Sequence, residues 1–194
     1  MTNDIQKTSD ISWLKLGLPE TPPEVEEVFS ITRERIGYVR TAQQVTAQMP
    51  AMLAAQDGLS RALMVGDASP LPPKERELIA LVVSVENGCI ACIFGHASRL
   101  RAITGDALWV GEVEANYRHA RLSAREMAIA DYATKLTRAP VDMREADLAP
   151  LRAAGLSEIE ILHVAGVTAF YNMSNRINSG LGVQANEEAY LAGR

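Results

Sequence analysis

Apolar positions recur every three to four residues along almost the whole chain, and no run alternates with the period of two expected of a half-buried strand. The pattern predicts an all-α protein. Residues 1–20 read as irregular, with Trp13, Leu14 and Leu16 expected to pack on the body. Thr21-Pro-Pro-Glu24 then reads as a capping box with proline in the first turn, opening a helix to about Ile36 that Gly37 ends. A helix over 39–48 and another from Pro50 to near Gly66 follow. Residues 67–73, DASPLPP, form a proline-rich connection, and Pro72 or Pro73 starts KERELIALVVSVEN. Its stretch from Leu78 to Val85 is apolar on all sides, the mark of a buried helix. Asn87-Gly88 breaks it, because glycine readily takes the left-handed conformation that ends a helix. Helices over 89–103 (stopped by Gly105), 106–119, 124–137, 143–154 and 158–180 complete the reading. Ser123-x-x-Glu126, Asp142-x-x-Glu145 and Ser157-x-x-Glu160 supply capping boxes for the last three. One helix entry recurs as Leu71-Pro-Pro-Lys-Glu, Leu122-Ser-Ala-Arg-Glu and Leu156-Ser-Glu-Ile-Glu, either a duplicated helical unit or three similar starts.

Composition narrows the class. With 194 residues, 47% of them hydrophobic and 22% charged, the chain has the makings of one domain, 1–194, with an ordinary core. No apolar run approaches the roughly 18 residues of a spanning helix, and MTNDIQKTSDISW lacks the layout of a signal peptide. No membrane partner and a cytoplasmic location are therefore expected. The 19 Lys and Arg are scattered among 24 acidic residues, for a net charge of -5, so no basic stripe exists to neutralise a nucleic acid. Neither a glycine-rich phosphate loop nor strand alternation points to a nucleotide, nicotinamide or flavin cofactor. Gly180-Leu-Gly182 reads as a helix terminator and the seven methionines as core filler.

The two cysteines lie in NGCIACIFGH, residues 87–96. A disulfide between Cys89 and Cys92 would close a tiny loop and so constrain the unfolded chain very little. On a helix at about 100° per residue, Cys89, Cys92 and His96 fall within roughly 60° of arc and face one way. Cys89 lies at the first turn, where unpaired N–H groups favour a thiolate. If the Asn87-Gly88 break folds the two helices over 71–105 into an antiparallel pair, Glu77 comes level with His96, and a carboxylate, imidazole and thiol make a proton relay. Glu75 and Glu86 are the competing carboxylates. Three readings stay open at this point: dithiol redox chemistry, a zinc site built from Cys89, Cys92, His96 and Glu77 (or a helical protein holding another small ligand), and buried structural thiols. His119 reads as a surface residue near a helix end and His163 as a hydrogen-bonded core residue. Tyr171, Asn172, Asn175 and Arg176 read either as site lining or as a subunit contact. The flank Ile90, Ile93 and Phe94 offers room for an alkyl group.

Glu77, eleven residues, Cys89-Ile-Ala-Cys92, three residues and His96 resemble the signature of AhpD-type alkylhydroperoxidases in the carboxymuconolactone decarboxylase-like superfamily. SPLPPKERELIALVVSVENGCIACIFGHASRLR resembles that family's core, and the chain from ISWLKLGLPE to FYNMSNRINSGLGV resembles its peroxidase-related branch. The resemblance implies an all-helical bundle, assembly as a trimer or hexamer, and thiol-dependent reduction of hydroperoxides without a bound cofactor. It assigns the attack on peroxide to Cys92, the resolving thiol to Cys89 and the proton relay to Glu77 and His96. An external dithiol, in some relatives a lipoyl group, would reduce the resulting disulfide. Decarboxylases of the superfamily lack the cysteine pair. Where well-known relatives carry a histidine between the cysteines, this chain has Ala91. A thiol–disulfide exchanger or redox sensor without fast peroxide turnover is the neighbouring alternative.

Overall fold

A computed structural model describes residues 5–66 and 69–194. Among these the regular structure is entirely helical: α1 (Thr8–Ile11), α2 (Pro23–Ile36), α3 (Thr41–Thr46), α4 (Pro50–Met64), α5 (Pro73–Glu86), α6 (Ile90–Thr104), α7 (Ala107–Asn116), α8 (Ala124–Arg138), α9 (Ala149–Ala153), α10 (Glu158–Gly180) and α11 (Glu187–Leu191). The all-α reading holds. Part of the proline-rich connection, 67–68, lies outside the described residues, as do 1–4.

The helix α5 is the axis. Every residue from Glu75 to Ser84 is buried. Ile79, Ala80 and Val83 pack against α8, α9 and α10 through Ile129, Ala133, Leu151, Val164 and Val167. Leu78, Leu81 and Val82 pack the other way, against Ala97 and Leu100 of α6 and Trp109, Val110 and Val113 of α7. An apolar helix sandwiched in this way contributes roughly 1.5–3 kcal/mol per buried large side chain, an upper bound that takes the unfolded chain as fully solvated. Gly88 sits at φ 63° between α5 and α6. A side chain there would be strained by its own backbone, and this bend turns α6 back along α5. A third apolar group joins Val25, Val28 and Phe29 of α2 to Val39, Ala47 and Leu53.

Several helix ends depart from the sequence reading. Thr21 makes no capping box: α2 is entered at Pro22, without a side-chain cap. The boxes at Ser123 and Ser157 both form. The helix predicted over 143–154 does not form as one piece. Glu145–Leu148 winds as a tight 3-10 turn, with Asp147 accepting from the Arg144 N–H at 2.8 Å, and only Ala149–Ala153 is α-helical. Pro150, in that helix's first turn, lacks the N–H that an uninterrupted helix would use there. Residues 8–11 are helical rather than irregular. Of the three side chains expected on the body, Leu14 packs beside Ile11, Val45 and Val183, whereas Leu16 and Trp13 are largely exposed. The Trp13 ring nevertheless lies over Gly182, where an added Cβ would fall 2.2 Å from the indole. The Trp13 N–H donates to the Leu181 carbonyl at 2.8 Å, so the two ends of the chain are fastened together there.

Candidate functional site

Antiparallel packing of α5 on α6 brings Glu77 to His96. Glu77 Oε2 lies 2.7 Å from His96 Nδ1, and both side chains are buried. Arg99, one turn beyond His96, approaches the other carboxylate oxygen at 3.5 Å. The competing carboxylates are engaged elsewhere. Glu75 accepts two hydrogen bonds from Arg125, at 2.7 and 3.1 Å, and Glu86 pairs with Arg138.

Burial alone would raise the Glu77 carboxyl, but Arg99 and then His96 more than offset it and pull it down to about 2. Burial also lowers His96 below its ordinary value, outweighing the opposing pull of Glu77. An ionised carboxylate beside a neutral imidazole puts the proton on Nδ1, donated to Glu77. Nε2 is thereby left as the basic nitrogen. The Tyr171 ring meets the imidazole edge-on at a centroid distance of 4.3 Å and fixes its plane.

The two cysteines are free thiols and both are buried. They are not equivalent. Cys92 and His96, one turn apart on α6, line a cavity of about 120 Å³, and Cys89 does not. The two sulfurs nevertheless lie together, the Cys92 thiol bonding Cys89. Cys89 is the N-cap of α6, with extended backbone (φ -81°, ψ 93°). A hydrogen bond from the Cys92 thiol, helped by the Cys92 backbone N–H, Ser179 and Asn175 and opposed by burial, brings Cys89 down to about 7. The same bond, together with burial, pushes Cys92 up. The bond makes Cys89 the more acidic of the two. Asn178 donates to Cys92 Sγ at 3.3 Å.

The polar face of α10 divides. Tyr171 packs on His96, and Asn175 donates to Ser84 Oγ at 3.2 Å and accepts from Asn87 at 3.1 Å, bracing the α5–α6 bend. Asn172 donates to Thr137 and also accepts from Asn87 at 3.1 Å, and Arg176 is exposed and bonded to Asn172. His163 is held by the Leu63 carbonyl at 2.8 Å and by Ser69, as a structural residue, and His119 is on the surface. The apolar flank expected to receive an alkyl group lies elsewhere: Ile90 is exposed, Ile93 packs in the core and Phe94 stacks on Tyr190. The cavity is walled instead by Leu53, Phe170 and Ile177 and by the polar Tyr38, Arg40 and Gln43. As for metal, no group of three or more His, Cys, Asp or Glu side chains among the described residues converges on a point an ion could occupy. The four residues of the zinc reading spend their donors on one another.

Sequence reasoning missed Arg99, Asn178, Tyr38 and Arg40. Arg99 follows His96 by three and Asn178 follows Tyr171 by seven, both helical spacings that would have found them. Tyr38 and Arg40 come from the segment before α3, and no local pattern ties them to the motif.

The carboxymuconolactone decarboxylase family profile matches residues 50–135. An uncharacterised peroxidase-related protein from Silicibacter sp. TM1040 is 34% identical, with a TM-score of 0.89 over 95% of this chain and 97% of its own. An AhpD-core, peroxidase-related protein from Ralstonia eutropha JMP134, also uncharacterised, is 30% identical, with a TM-score of 0.88 over 95% and 97%. The debrominase Bmp8 has the same fold at 19% identity, with a TM-score of 0.79 over 94% and 98%. No curated protein matches the chain at a significant level.

Proposed function

Because the chain belongs to the carboxymuconolactone decarboxylase family, among its AhpD-like, peroxidase-related members, we propose that it is a thiol-dependent peroxidase reducing hydrogen peroxide or organic hydroperoxides. The observation that carries this reading is the buried Glu77–His96 pair set one helical turn from Cys92, on the wall of a cavity. An AhpD-like fold alone would not carry it, since the fold also serves a debrominase.

Cys92 is the nucleophile. His96 Nε2 takes its proton as the sulfur attacks the outer peroxide oxygen. The O–O bond breaks, Cys92 becomes a sulfenic acid, and the departing oxygen takes the proton back from His96 to leave as an alcohol or water. Glu77 stabilises the transient imidazolium without accepting the proton itself. Cys89, its thiol lowered to about 7, attacks the sulfenic sulfur as the thiolate and expels hydroxide, forming the disulfide. The two electrons that reduce the peroxide come from the two thiols. An external dithiol, such as a lipoyl group, restores them. The division of labour rests on the geometry: Cys92 borders the cavity one turn from His96 and is served by the relay, and Cys89, outside that lining and bonded to Cys92, resolves. Assembly as a trimer or hexamer is part of the proposal. The outward-facing Leu108, Val141, Ile159 and Leu162 favour it, and light scattering of the purified protein tests it.

The direct test is intact mass before and after one equivalent of hydrogen peroxide. Wild type is expected to lose two hydrogens. Cys89→Ser is expected to gain one oxygen, on Cys92. A wild type that keeps both thiols under peroxide, yet is oxidised by a disulfide compound, is an exchanger or redox sensor instead.

A further inference from the structure

One strong charge in the cavity has no use in the chemistry above. Arg40 lines the same space as Cys92 and His96. Among the described residues, no carboxylate lies within ion-pair distance of its guanidinium, and its Nε is buried with no hydrogen-bond partner. Burial, and then the like charge of Arg99, press Arg40 down to about 9, so it stays charged at neutral pH against both. Arg99 lines the cavity too, and its one carboxylate, Glu77, is already committed to His96. Two guanidinium groups thus face a space in which Glu77 is shared and Asp57 is taken by Arg61 at 3.0 Å. Arg40 is half-buried, a cation without a carboxylate partner on the cavity wall, and a planar fork of N–H donors is built for a carboxylate. Tyr38 lines the same space and adds a hydroxyl group.

We propose that the substrate is a small organic hydroperoxide bearing a carboxylate, the carboxylate held by Arg40 with Arg99 and the peroxide group turned toward Cys92. This rests on the peroxidase reading and names its substrate class. The volume, about 120 Å³, is on the scale of the roughly 150 Å³ cavity that takes a benzene molecule, so the acid is short. The chemistry is unchanged by the anchor. Cys92 sulfur takes the outer oxygen, the inner oxygen leaves as the alcohol of a hydroxy acid, the cysteine pair supplies both electrons, and the carboxylate neither gains nor loses a bond. The anchor holds the O–O bond against the sulfur instead of leaving it to collision.

The test compares 3-hydroperoxy-3-methylbutanoate with its methyl ester, which has the same reacting centre and no charge. Stopped-flow oxidation of reduced wild-type protein at low ionic strength is expected to be at least tenfold faster with the acid, and Arg40→Met is expected to bring the two rates together. Equal rates for acid and ester in wild type, with oxidation by both, overturn the substrate assignment and leave the peroxidase reading standing. Oxidation by neither overturns the peroxidase reading. Anion recognition is then decided by calorimetric titration of wild type with 3-hydroxy-3-methylbutanoate, its methyl ester and inorganic phosphate. Binding of the hydroxy acid alone supports the carboxylate site. Binding of none of them, or of phosphate equally well, overturns it. Since both comparisons are made on wild type, a poorly folding Arg40 variant does not spare the proposal.

Discussion

Glu77 answers to an imidazole and two cations at once: it accepts from His96, pairs with Arg99 and lies within the field of Arg40. Replacing it with glutamine keeps a hydrogen-bond acceptor for His96 but removes the only charge that steadies an imidazolium there. Glu77→Gln is expected to slow oxidation by hydrogen peroxide on the order of a hundredfold, the usual scale of a lost acid–base contribution, as read by stopped flow. The same carboxylate sets the acid limit of the fold. Its folded pKa, about 2, is depressed from 4.5, so its stabilisation is complete above about pH 4.5 and is lost as the pH falls toward 2, on the order of 3 kcal/mol. His96 acts in the same direction. Its folded pKa lies below 6.5, so the unfolded chain binds the extra proton and stability already declines below that pH. Urea titrations over pH 3–7 should show both legs in wild type and lose the lower one in Glu77→Gln. At this scale the four motif residues were legible because helical periodicity and one hairpin relate them all. Arg40 was not, since only the tertiary fold brings it near residue 96.

Helices were legible where a side chain and its acidic partner closed a box, as at Ser123 and Ser157, and less so where proline did the work. Thr21 followed by two prolines had the spacing of a cap without its geometry. The segment over 143–154 had the apolar spacing of a helix but held Pro150. QANEEAYL, which contains α11, was too short and too polar to announce itself. Yet α11 matters to the site. Asn186, its N-cap, and Ala189 line the cavity, and Arg101 grips the Ala189 and Ala192 carbonyls at 3.1 and 2.8 Å. Two substitutions separate helix stability from site geometry. Ser157→Ala should cost about 1 kcal/mol by loss of the cap and leave the oxidation rate as it is. Gly88→Ala should cost about 1–2 kcal/mol through its left-handed backbone and also slow oxidation, because the bend at Gly88 sets Glu77 against His96. Calorimetric melting and the mass assay read the two effects separately.

Across the whole molecule the two sulfurs touch each other, but only one of them borders the cavity. Cys92 opens on the cavity; Cys89 is outside its lining, at the α6 terminus beside exposed Gly88 and Ile90. Cys89 is itself only 3% exposed, so a reductant reaching it past Gly88 and Ile90 would use a door separate from the oxidant's. A dithiol attacking the disulfide at Cys89 need not wait for the alcohol product to vacate the pocket, and peroxide need not compete with the donor for room. In steady-state kinetics, a carboxylic acid that plugs the pocket should raise the KM for peroxide while leaving the donor's KM unchanged. If the acid competes with both, the molecule has a single door.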